Sequence, residues 1–140
     1  MNSPMPIPFI SRSVALALFL ALALALFVIA SGFLIAALSF GFERGDIAYE
    51  GPEAQQRSDD LNRAANVASG LFLAAELGAA LLVLKSGVLS PVPLHWTIKL
   101  VALFVGFGGY SCGLIFLILF GGAPRVLTDL AEALGNLIMR

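Results

Sequence analysis

The stretch SVALALFLALALALFVIASGFLIAALSFGF, residues 13–42, holds no charged side chain and no proline, and its polar atoms are confined to Ser13, Ser31 and Ser39. A hydrocarbon core about 30 Å thick is crossed by about 20 helical residues at about 1.5 Å each, so this run is more than long enough. Backbone that faces lipid must satisfy its own hydrogen bonds, which leaves a helix or a closed barrel. The alternation in ALALFLALALAL has period two, but Ala and Leu are strong helix formers and the run far outlasts a strand.

As a helix, residues 13–42 would extend about 45 Å, so the helix tilts, bends near Ser31–Gly32, or continues past the bilayer. A cleaved signal peptide is the rival reading, with Arg12 as its basic end and FVIASG as its cleavage zone. The apolar run exceeds the roughly 7–15 residues of a signal core and carries on beyond those small residues, which opposes cleavage.

Working outward, two further runs meet the length test. AANVASGLFLAAELGAALLVL leads into a second span over residues 64–85, interrupted by Asn66 and Glu76. WTIKLVALFVGFGGYSCGLIFLILFGG, residues 96–122, is a third, with Lys99 near its start. None shows the polar stripe at helical period that a soluble helix would carry. The whole chain agrees: of 140 residues 59% are apolar and 12% charged, against about 25% charged in a soluble domain.

The segments between the runs differ in kind. Residues 1–12, MNSPMPIPFISR, contain Pro4, Pro6 and Pro8 and read as an extended or interfacial arm. Residues 43–63 are an acidic loop in which Ser58 reads as an N-cap followed by Asp59 and Asp60, placing the start of the second helix there. Residues 86–95 form a connector whose Pro91 and Pro93 stop helix propagation, making helices two and three an antiparallel hairpin. In residues 123–140, Val126, Leu127, Leu130, Leu134, Leu137 and Ile138 recur at helical spacing. This is an amphipathic helix too short and polar to span, suited to the interface or to a partner. The expected fold is therefore an all-α integral membrane protein with three transmembrane helices and a C-terminal interfacial amphipathic helix.

Orientation stays open. Arg12, Lys85 and Lys99 lie on one side and Arg44, Arg57, Arg63, Arg125 and Arg140 on the other, while eight of nine acids accompany the five arginines. A Lys/Arg count places the acidic loop in the cytoplasm; net charge points the other way.

The chemistry-bearing residues are few. Glu76 sits mid-span, where a charge costs about 2.5–3.5 kcal/mol on insertion scales. The cost is avoided if the carboxyl is protonated, pairs with a cation such as Lys99, or faces water. By helical rise Glu76 and Lys99 differ in depth by about 7 Å, within reach if their faces meet. The Glu76 face also carries Ala65, Ser69, Phe72, Ala80 and Val83, a packing mixture. Small residues recur at four-residue spacing as Gly70, Ala74 and Gly78 on helix two, and Gly109 and Gly113 on helix three, with Gly106 a turn earlier. Such spacing lets backbones approach closely. His95 and Trp96 fall at the expected membrane edge, where amphipathic rings gather. Tyr110, Ser111 and Cys112 suggest a hydrogen-bonding seam, and Cys112 has no neighbouring cation or histidine to activate it.

No phosphate loop, hydrolytic triad or metal cluster is spelled out, and a net charge of −1 offers no footprint for nucleic acid. No cofactor is identified by these residues. The expectation is a non-catalytic membrane subunit that packs against and stabilises a larger complex, with the bilayer and membrane proteins, or further copies of itself, as partners. The alternative is a small oligomeric channel or transporter that passes protons or cations along Glu76.

Overall fold

The computed structural model describes residues 7–45, 51–120, 122 and 124–140, with side chains from residue 12 onward. Four helices follow in order: α1 (Ile7–Gly45), α2 (Pro52–Lys85), α3 (Trp96–Phe120) and α4 (Arg125–Met139). The described residues contain no strand. The first three helices are long and apolar enough to cross a membrane, consistent with a multi-pass membrane protein.

Two boundaries differ from the sequence expectation. α1 begins at Ile7, inside the segment read as an extended arm. Pro8 then falls in its first turn, where a missing N–H costs nothing; Pro4 and Pro6 lie outside the described residues. α2 begins at Pro52 rather than at Ser58, with Gly51 as cap at φ 92° and Pro at the first helical position. Glycine tolerates that left-handed φ and proline presets the helical one, so the Gly-Pro pair starts the helix earlier than Ser58 could.

α1 and α2 pack antiparallel along most of their length. The buried apolar residues of α2 are Leu61, Ala64, Ala68, Ala75, Ala79 and Ala80, and most of them follow the three-and-four spacing of a coiled-coil seam. α1 contributes Ala23 and Ala30, two turns apart. Methyl-sized side chains bring the two backbones together, and dispersion between them replaces the hydrophobic drive that lipid removes.

α1 runs unbroken through Ser31–Gly32, with the Ser31 hydroxyl donating to the Phe27 carbonyl at 3.0 Å. Its two halves have different surroundings. Val14, Leu18, Leu22 and Leu24 are exposed, whereas Ala30, Ile35, Ala36 and Phe40 are buried. α4 accounts for the change. A core of Ile35, Ala36, Phe40, Leu61, Ala64, Ala68 and Ala131 joins α1, α2 and α4, with Leu127 and Ile138 packed on it. At Gly32 an added Cβ would come within 2.8 Å of Leu134 Cδ1 and 3.0 Å of Leu130 Cγ, so α4 rests directly on α1 backbone. Leu130 and Leu134 of α4 thus pack on α1 at Gly32, while Val126 and Leu137 of the same helix stay exposed.

The α2–α3 hairpin turns where expected. The Ser86 N–H closes on the Leu82 carbonyl at 3.0 Å, and Gly87 takes φ 83°, a left-handed conformation that L side chains rarely adopt.

Candidate functional site

α3 is the loosest element, and what little holds it is specific. Its one buried residue is Ser111. The Ser111 hydroxyl lies 2.5 Å from Glu76 Oε1 and 3.0 Å from the Phe107 carbonyl. Glu76 is 1% exposed, among the most buried side chains in the chain. The deep acid is therefore enclosed between α2 and α3 and points neither at lipid nor at open water. The hydroxyl has one proton; donated to Glu76 Oε1 it ties α3 to α2, and the Phe107 carbonyl one turn back is the alternative acceptor within its own helix.

Lys99 does not share this site. Its Nζ donates to the Leu89 carbonyl at 2.8 Å, tying the start of α3 to the connector. Among the described residues the ion pairs are Arg57–Glu43 at 2.6 Å and Arg63–Asp60 at 3.2 Å, both outside the apolar spans. The pairing of Glu76 with Lys99 that their depths allowed is thus replaced by a neutral partner, because Lys99 reaches a connector carbonyl closer to its own level.

The glycines are distributed unlike their spacing suggested. Gly78 alone among those singled out meets a neighbour, with Leu26 Cδ1 3.1 Å from an added Cβ. Gly70, Gly106, Gly109 and Gly113 have nothing within 4 Å, and Ala74 is exposed. Alanines, with Gly78 among them, hold the α1–α2 contact. Gly106, Gly109 and Gly113 line one wall of an apolar cavity of about 720 Å³ between α3 and α1. Phe27, Val28 and Ser31 of α1 line it as well, and Leu127 of α4 contributes to the lining. α1 and α3 meet beside it through Phe27, whose ring centroid is 5.2 Å from Phe107 and 6.2 Å from Tyr110. Tyr110 itself is 75% exposed, and Cys112 is a free, exposed thiol.

His95 and Trp96 are both exposed at the start of α3, with ring centroids 5.8 Å apart. His95 Nδ1 accepts the Thr97 N–H at 3.3 Å, doing for α3 what a capping side chain does for an orphan amide. At the opposite end Arg44 donates from Nε to the buried Ser58 hydroxyl at 3.1 Å and from an Nη to Asn62 Oδ1 at 3.1 Å, fastening the end of α1 to α2. Sequence reasoning read Ser58 as a cap and missed this role, for which an Arg at a helix end opposite Ser and Asn is the only signal.

No known protein family, curated protein or solved structure shows significant similarity to this chain.

Proposed function

We propose that the chain is a small, non-catalytic integral membrane subunit that stabilises a larger membrane complex by seating a partner helix against α3. One observation carries this reading. α3 presents backbone at Gly106, Gly109 and Gly113 to an apolar cavity of about 720 Å³ that the described residues leave unfilled. Ordered helix backbone fits a glycine surface with more dispersion contact than mobile acyl chains do, and close approach at small residues is what drives helix association in lipid. The side chains that could do chemistry are scattered. Glu76 is bonded to Ser111, His95 caps α3 and Cys112 stands apart.

The channel alternative draws less support, because Glu76 is 1% exposed and offers no face along which copies could line a path. Extraction in a mild detergent tests the proposed role. The chain is expected to emerge in stoichiometric complex with unrelated membrane proteins. Gly109→Leu should release it from them without altering its own helicity. Recovery solely as a homo-oligomer, or an unchanged complex with Gly109→Leu, would overturn it.

A further inference from the structure

The membrane end opposite Glu43 and Arg44 carries a second cavity, of about 610 Å³, between the start of α1 and the end of α2. Its lining includes Arg12, Lys85 and the hydroxyl residues Ser13, Ser86 and Ser90, with Leu16 and Phe19 one and two turns further along α1. That volume lies in the roughly 300–1,000 Å³ range of ligand sites. We propose that this cavity binds an anionic phospholipid, with the headgroup phosphate between Arg12 and Lys85 and an acyl chain against Leu16 and Phe19.

Charge carries the first half of the argument. Residues 1–12 and 85–99 include Arg12, Lys85 and Lys99 and not one Asp or Glu. Among the described residues both ion pairs lie at the other end of the molecule, so neither Arg12 nor Lys85 has a carboxylate partner. The nearest acid along α2 is Glu76, nine residues and so about 13 Å away, and it is bonded to Ser111. Two cations face one cavity with no acid among the described residues to neutralise them.

The shape of the lining carries the second half. Arg12 and Phe19 are seven residues apart, so the cavity descends about 10 Å from a basic rim to an apolar wall within the membrane-spanning run. A free anion would use only the rim. A phospholipid matches both parts, since phosphate sits at headgroup depth and its acyl chain continues inward. Basic cavities between helices at this depth are the kind that hold acidic headgroups, and each nearby cation contributes about 1 kcal/mol of attraction.

Native mass spectrometry of the full chain in mild detergent tests the assignment, with palmitoyl-oleoyl phosphatidylglycerol, the matching phosphatidylcholine and inorganic phosphate as probes. One phosphatidylglycerol is expected to be retained per chain, in preference to phosphatidylcholine, with phosphate unable to displace it. Combining Arg12→Gln and Lys85→Gln should weaken its retention roughly thirtyfold, and each single change roughly fivefold. Combining Arg12→Lys and Lys85→Arg should preserve it, as should Arg63→Gln at the far end. Circular dichroism of each variant separates lost binding from lost folding, and the single variants serve if the double one fails to fold. Equal retention of phosphatidylcholine, displacement by phosphate, or undiminished binding by the folded glutamine variants would overturn the proposal.

Discussion

The Ser111 hydroxyl of α3 lies 2.5 Å from Glu76 Oε1 of α2, and those two residues are the deepest polar contact between the second and third helices. Ser111 is also the only buried residue of α3. One hydrogen bond thus shelters an acid that lipid would reject and pins a helix that otherwise has little hold on its own chain.

Removing that pin should loosen α3 by a modest amount. Interhelical polar contacts in membranes average about 0.6 kcal/mol and reach about 1.7, so Ser111→Ala should lower stability by about 1 kcal/mol. Glu76→Gln should cost less, because the carboxamide oxygen still accepts the hydroxyl proton. Midpoints of unfolding in mixed micelles with rising dodecyl sulfate measure both. A larger loss for Glu76→Gln than for Ser111→Ala would show that something other than this hydrogen bond matters at the acid.

Two glycines should respond oppositely to bulk. At Gly32 a Cβ meets Leu134 and Leu130 of α4 at 2.8–3.0 Å, whereas at Gly109 it meets nothing within 4 Å. Gly32→Ala is tolerable because leucine ends can shift, but Gly32→Phe should push α4 off α1 and open the C-terminal helix to protease. Gly109→Phe in the isolated chain should leave both stability and cleavage unchanged. Protection of α4 in the Gly32→Phe variant would contradict the packing described.

At the far end the buried contact should outweigh the exposed one. Ser58 is 1% exposed and accepts from Arg44; Ser58→Ala leaves part of that guanidinium unmatched and should cost about 1 kcal/mol. Arg57 and Glu43 pair at 2.6 Å with side chains 65% and 48% exposed. Arg57→Ala should therefore change stability by less than about 0.5 kcal/mol, and less still in high salt. The same unfolding assay ranks the two.

Reconstituted alone, the chain is expected to pass neither protons nor cations in a Glu76-dependent way. The carboxyl is sealed between α2 and α3. Vesicles loaded with a pH dye, containing the unaltered chain or Glu76→Gln, report this directly. A flux present in the first and abolished in the second, with assembly intact, would restore the channel reading.

Much of the architecture was legible in the residues. The uncharged stretch 13–42 and its two companions specify helices by length and composition, since lipid leaves the backbone no other partner. The rhythm from Val126 to Ile138 marks α4 as amphipathic, and Pro91 and Pro93 mark the hairpin. The helix starts were less legible. Ser58 looked like a cap, yet Gly51–Pro52 starts α2 earlier, and Ser58 serves Arg44 instead.

What the sequence determined by itself was the surroundings and the type of each element: apolar length sets the solvent, and period sets which face seeks cover. Tertiary structure decided the partners. Glu76 found Ser111 rather than Lys99, alanines with Gly78 closed the α1–α2 seam, and α4 settled on the end of α1. The physical reason is that depth and spacing are local quantities, carried by each helix alone. Which faces meet depends on how all four helices share a limited contact area, and no single segment contains that information.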